Sequence, residues 1–222
     1  MIRNLNKETV KLDISGKKVL EGIIVDSGSD MIVLYNGEDY YYISNNHIHA
    51  VKTNGSSENS IIMPTETPDI VLNNNKDDLT LEKVLSRAVG IYCEIYVTGN
   101  QALHGYISNI MDDYFVFQSP IYKTIYIKIE HLKWLIPYSN NHSPYKLSDN
   151  DFQVQTFNEN LSNTFEKQIE NLKNKLVVFN QGENVNHIGR MNNIKGHIVE
   201  LQTARGNSIY LNLYHLKSMY KV

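Results

Sequence analysis

The chain has 222 residues, 21 basic and 24 acidic side chains, a formal charge of −3 and 41% apolar residues. This composition excludes a disordered polymer and argues against a protein whose main work is gripping phosphate backbones, which needs concentrated positive charge. A single cysteine, Cys93, excludes a disulfide framework within the chain and a multi-cysteine zinc site.

The first eight residues have neither the apolar core nor the small-residue cleavage site of a secretory leader, so no signal peptide is expected. No run approaches the roughly 18 consecutive apolar residues of a membrane span. From there the chain reads as short strands. Val10, Leu12 and Ile14 alternate with polar residues; Gly22–Val25, Met31–Leu34, Tyr40–Ile43 and a short piece at Ala50–Val51 follow. Asn36-Gly37 is a hairpin signal, because both central residues of a type I′ turn need positive φ.

The same order returns twice. The second copy has strands at Ile91–Val97, Gly105–Ile110, Tyr114–Phe117, Ile125–Ile129 and Trp134–Ile136. The third has them at Leu176–Asn180, Ile188–Asn192, Ile198–Leu201, Ile209–Leu213 and Ser218–Tyr220. Gly22, Gly105 and Gly189 mark one position of the repeat, and Asp30, Asp113 and His197 follow each glycine by eight residues. His47-Ile48, His131-Leu132 and His215-Leu216 close the copies, and Val51, Leu135 and Met219 lie just beyond. An internal repeat of this length means one supersecondary unit used three times. Five short strands in each copy predict a small, bent, five-stranded antiparallel barrel.

Helices are expected ahead of copies two and three. Leu81, Val84, Leu85 and Ala88 have helical spacing between Thr80 and Gly90, and Phe165, Ile169, Leu172 and Leu176 do the same. Each would lay an apolar stripe over an open end of its barrel. Copy one has only Leu5 and Val10 in that place, so it is expected to lean on a neighbour. The fold class is thus mainly β with a few short helices, as three tandem barrels: repeat one at 1–54, a linker at 55–78, helix plus repeat two at 79–139, a linker at 140–159, and helix plus repeat three at 160–222. Both linkers are rich in Asn, Ser and Pro. Their apolar triplets Ile61-Ile62-Met63 and Ile70-Val71-Leu72 are candidates to dock on a barrel or add a strand to its edge.

The motifs of common enzyme sites are missing: no Walker loop, G-x-S-x-G, H-E-x-x-H or G-x-G-x-x-G occurs. Cys93 sits in an alternating strand and reads as a small buried hydrophobe. Three imidazoles can ligate zinc, so His47, His131 and His215 form a metal or proton-sensitive site if the copies converge on an axis. The simpler reading is local: each caps the turn into the fifth strand through a backbone bond. Asp30 and Asp113 are explained by turn chemistry. No catalytic, metal-binding or cofactor-binding residue is assigned.

Tyrosine is over-represented, at 15 residues. Tyr40, Tyr42, Tyr122, Tyr126, Tyr210 and Tyr214 lie on or beside the fourth strands. Base stacking would call for neighbouring Arg and Lys, whereas Glu38, Asp39 and Glu130 surround several of these rings. A protein–protein contact surface of amphipathic rings is the expected reading.

Val178-Phe179-Asn180-Gln181-Gly182-Glu183, Gly189-Arg190 and Ile209–Ser218 together resemble the spore coat protein B family of Bacillus-type endospore formers. Its tandem units open on N-[QR]-G-G-P-E and close on [YF]-x-[IL]-x-H-[IV]-K-S-I. His131-Leu132-Lys133 and His47-Ile48-His49 match the close more loosely. The opening is degenerate here, as Gln181-Gly182-Glu183-Asn184, and the Ser/Lys/Arg-rich tail of some members is not seen up to Val222. The unit also resembles an Sm-like or SH3-like barrel, a likeness of fold alone. The family resemblance implies a non-enzymatic structural protein of the outer spore coat, laid down from the mother-cell cytoplasm. It implies partners among other coat proteins and further copies of itself, and no small-molecule substrate or cofactor. The alternative from the Sm-like resemblance is a nucleic-acid binder.

Overall fold

The computed structural model describes residues 5–53, 61–64, 70, 79–99, 101–138, 144–148, 152 and 160–222. Unit one contains β1 (Thr9–Ile14), β2 (Lys18–Ser27), β3 (Met31–Tyr35), β4 (Tyr40–Ser44) and β5 (Ile48–Thr53). Unit two adds α1 (Leu81–Ala88), then β6 (Tyr92–Tyr96), β7 (Leu103–Ile110), β8 (Tyr114–Ser119), β9 (Lys123–Lys128) and β10 (Trp134–Pro137). Unit three has α2 (Phe165–Glu170), β11 (Leu176–Phe179), β12 (Ile188–Lys195), β13 (Ile198–Gln202), β14 (Ser208–Asn212) and β15 (Ser218–Lys221). The alternation that predicts β1 is real: Val10, Leu12 and Ile14 are buried while Lys11 and Asp13 face outward.

All fifteen strands belong to one sheet, in the order β14-β13-β12-β11-β15-β9-β8-β7-β6-β10-β4-β3-β2-β1-β5. Read in fives, the order is the same in each unit: fifth strand, first, second, third, fourth. The strand count and the antiparallel pairing agree with the expected units. The connectivity departs from three barrels in tandem: the sheet is continuous and open, with the fourth strand of one unit paired to the fifth strand of the next.

The repeat glycines have a steric reason. A Cβ at Gly22, Gly105 or Gly189 would press into the backbone oxygen of Tyr35, Gln118 or Gln202 on the neighbouring strand. Just beyond each glycine the second strand carries a bulge, between Ile24 and Asp26, Ile107 and Asn109, and Met191 and Asn193. A bulge bends its strand and increases local twist, so each unit turns its long second strand at the same place.

The helices fit the sequence unequally. At α1, Thr80 Oγ1 accepts from the Lys83 amide at 3.3 Å, and Gly90 takes a φ of +78° just past the end. The longer stripe predicted for α2 is not helical throughout: the helix stops at Glu170, Leu172 lies in the following turn, and Leu176 opens β11 opposite Arg190. The Asn36-Gly37 turn also differs from the type I′ expectation. Only Gly37 has positive φ, and Asn36 Oδ1 instead accepts from the Glu38 and Asp39 amides at 2.9 and 2.7 Å.

Among the described residues three apolar clusters form, and none is confined to one unit. The first joins Val10, Leu12, Ile24, Leu34 and Ile43 to Tyr96, Trp134 and Ile136 of unit two. The second gathers α1 and the strands of unit two around Met31, Val33 and Tyr42 of unit one. The third gathers α2 and the strands of unit three around Tyr114, Val116 and Tyr126 of unit two. Ile70 is buried in the second cluster, and its carbonyl accepts from Tyr42 Oη at 3.1 Å. Its neighbours Val71 and Leu72 lie outside the described residues, as does most of both linkers, whereas Ile62 is exposed.

Candidate interaction site at the unit junctions

The two junctions use the same register. Between units one and two, Trp134 stands opposite Ile43 and Leu135 opposite Tyr42. Between units two and three, Ser218 stands opposite Ile127, Met219 opposite Tyr126 and Tyr220 opposite Ile125. Counted from the closing histidines these are equivalent positions. The matching amide bonds, Ser44 to the Lys133 carbonyl and Lys128 to the Lys217 carbonyl, are both 3.0 Å. Tyr42 and Tyr126 are 1% and 3% exposed, each facing a large apolar residue across the seam. Burying a ring of this size with its hydroxyl satisfied contributes on the order of 2–3 kcal/mol.

The signature aspartates turn out to be long-range caps. Asp30 Oδ1 accepts from the Leu81 amide at 2.9 Å, and Asp113 Oδ1 accepts from the Phe165 amide at 2.7 Å. Each satisfies an otherwise unpaired amide in the first turn of the next unit's helix, where a negative charge also suits the helix dipole. Turn chemistry alone does not account for them. His197, at the same place in unit three, instead pairs its Nε2 with Tyr214 Oη at 3.0 Å.

The closing histidines each end a 3-10 turn, at Asn45–His47, Ile129–His131 and Leu213–His215. Their environments differ. His47 lies between Ser15 Oγ and the Glu130 carbonyl, both at 3.0 Å, so its backbone partner belongs to the next unit. His131 Nε2 is buried without a hydrogen bond, 3.5 Å from the Glu130 carboxylate. Burial brings the His131 pKa down to about 4, with the Glu130 charge opposing and Lys128 and Lys217 adding to the shift. His215 is exposed, and its carbonyl accepts from Asn180 Nδ2 at 3.1 Å. Among the described residues no three His, Cys, Asp or Glu side chains gather closely enough to hold a metal ion. Cys93 is fully buried, and burial pushes its thiol well above the usual range.

Residues of the family-like opening and closing signature tie the second junction together, joined by Thr98 and others that no motif marks. Asn180 Oδ1 accepts from the Lys217 amide at 2.7 Å, tying the end of β11 to the turn before β15. Asn180, Gln181 and Gly182 all have positive φ, which helps to explain the asparagine and glycine in that signature. Lys217 Nζ donates to Thr98 Oγ1 at 2.8 Å, and Thr98 Oγ1 donates to Glu183 Oε1 at 2.7 Å, so unit three reaches across to unit two. At the other junction Tyr96 stacks on Trp134 with centroids 4.3 Å apart, and the ammonium groups of Lys18 and Lys133 each lie 5.1 Å from the Tyr96 centroid. A cleft of about 500 Å³ lined by Gly99, Gln101, Tyr122, Gln181 and Glu183 lies beside the second junction.

The candidate tyrosines therefore divide. Tyr42 and Tyr126 are buried inside the chain. Tyr40 packs on Tyr35 at 4.9 Å and Tyr122 on Tyr220 at 5.4 Å, both half-buried. Tyr210 and Tyr214, on the outer flank of unit three, are exposed.

Residues 164–219 match the family model described as the YwrJ third domain. Over 220 residues the chain is 33% identical to YwrJ of Bacillus subtilis (strain 168), covering 95% of this chain and 94% of that protein. Spore coat protein B of the same organism is 27% identical over 127 residues, which is 57% of this chain and 31% of that protein. The expected kinship with spore coat protein B is thus a distant one, and the near relationship lies elsewhere: this chain belongs to the YwrJ family.

Proposed function

We propose that the chain is a non-enzymatic structural component of the bacterial endospore coat, laid down from the mother-cell cytoplasm and held by protein–protein contacts of its tandem β units. The observation that carries this reading is the way the units meet. Strand edges and buried tyrosines join them twice in register, in a chain distantly related to a spore coat protein. Coat assembly asks for such contacts, repeatable and built from backbone pairing. Linked units also raise avidity, so no single contact needs to be tight. Other coat proteins and further copies of this chain are the partners it would meet.

A fluorescent fusion followed through sporulation tests this. It should appear in the mother cell, encircle the developing spore and stay with the purified coat fraction. A fusion that stays diffuse while known coat layers form overturns the reading. Binding to coat extract should survive nuclease treatment. Nuclease-sensitive binding that falls steeply with added salt would favour a nucleic-acid binder instead.

A further inference from the structure

The sheet ends in two edges that are the counterparts of the edges already paired inside the chain. At one end is β14, the fourth strand of unit three; at the other is β5, the fifth strand of unit one. Among the described residues neither has a strand on its outer side. Each internal seam joins a fourth strand to the next unit's fifth strand, so β14 lacks the partner that β4 and β9 have, and β5 lacks the partner that β10 and β15 have.

The side chains point the same way. Tyr210 is the counterpart of Tyr42 and Tyr126, which are 1% and 3% exposed, yet it is 66% exposed. Residues of β9 that are buried, Tyr126 and Lys128, correspond in β14 to the exposed Tyr210 and Asn212. On the other edge Val51 is half-buried, whereas its counterparts Leu135 and Met219 are fully buried. An open strand edge beside an exposed large ring is a docking surface that soluble proteins usually cover or blunt.

The geometry points to head-to-tail association of this chain with a second copy of itself, β14 of one molecule pairing antiparallel with β5 of the next. The register of the internal seams fixes the register outside. Val51 stands opposite the partner copy's Tyr210, Ala50 opposite Leu211 and Lys52 opposite Ile209. The contact is heterologous: it closes into a ring if the rotation per chain divides a full turn, and otherwise runs on as a filament. It is weaker than the internal seams. Val33 and Val116, which help to build those seams, are replaced by Glu200, whose carboxylate is held by Ser208 Oγ at 2.9 Å. A carboxylate held by neutral donors is costly to bury, so this seam can form and break.

The inference takes its biological setting from the coat reading but is tested on the purified full chain. Val51→Cys and Tyr210→Cys are made separately and exposed to mild oxidant alone and mixed. The mixture should give a disulfide-linked dimer and each variant alone should stay uncrosslinked, because position 51 meets position 210 and never itself. Lys52→Cys with Ile209→Cys repeats the test should the first pair fail to fold. In sedimentation at tens of micromolar the native chain should exceed the mass of one molecule. Tyr210→Lys should return it to one molecule without changing its melting temperature. Equal crosslinking of single variants, or a native chain that stays monomeric while the mixture gives no crosslink, overturns head-to-tail pairing. If the fusion still encircles the spore in that case, the coat reading stands. A chain that pairs by this register but never reaches the spore overturns the coat reading alone.

Discussion

The two internal seams share a backbone register but differ in polar chemistry. In the first, His47 is bonded on both ring nitrogens, to Ser15 and to the Glu130 carbonyl. In the second, the counterpart of Ser15 is Thr98, which Lys217 and Glu183 occupy, and His131 Nε2 is left without a hydrogen bond. The apolar set is stricter. Leu135 against Tyr42 and Met219 against Tyr126 keep the same large-against-ring pairing, and both rings are buried. Backbone ladder and ring burial therefore specify a seam, while the hydrogen bonds around its closing histidine vary and one imidazole bears the cost.

The largest test of that comparison is ring removal. Tyr126→Ala and Tyr42→Ala should each cost about 3–5 kcal/mol in denaturant unfolding, the range for deleting a buried aromatic, while Tyr210→Ala in the isolated chain should cost less than about 0.5 kcal/mol. Similar values at all three positions would show that the seams do not depend on the ring.

Acid should separate the two histidines next. The folded-state pKa of His131 is down to about 4, below its ordinary 6.5, because burial disfavours the cation. Between those values the unfolded chain binds more protons. Stability is therefore fully present above about pH 6.5 and falls as the pH is lowered toward 4, by about 2 kcal/mol from this group after allowance for partial solvent contact. The pH dependence of the melting temperature checks this: His131→Gln should flatten the slope in that window. His47 is shifted in the same direction, also by burial, but its bond to the Glu130 carbonyl opposes the shift. His47→Gln should change the slope less. A slope unchanged by His131→Gln would place the acid sensitivity elsewhere.

Removing the long-range caps comes last. Asp30→Ala and Asp113→Ala should each lower stability by about 1 kcal/mol, as loss of an N-terminal cap does. Amide exchange should quicken first in α1 for one variant and in α2 for the other. Effects confined to the aspartates' own turns would return them to the turn-chemistry reading.

Much of the fold is legible because its causes are local. Val10, Leu12 and Ile14 alternate within a few residues, and a glycine pressed close to its neighbouring strand leaves a fixed mark at positions 22, 105 and 189. What lies between the units is not written locally. Nothing near Asp30 announces a helix 51 residues later, and nothing in Tyr40-Tyr41-Tyr42 says that the last ring alone is fully buried. The stripe through Leu172 and Leu176 misleads for a related reason. Its helical spacing is genuine, but Leu176 finds a strand partner at Arg190, and pairing across the chain overrides the local period. The contact surface is legible in part: tyrosines on the fourth strands mark where units meet, while the division into used and open positions depends on each unit's place in the order.

The continuous sheet has a mechanical consequence. Besides its side-chain contacts, every seam is spanned by a ladder of hydrogen bonds and by the polypeptide leading from one unit's fifth strand to the next unit's helix. A pull that tears the ladder does not separate the units. The covalent tether holds the torn edges at high local concentration, and they can zip shut when the load is released.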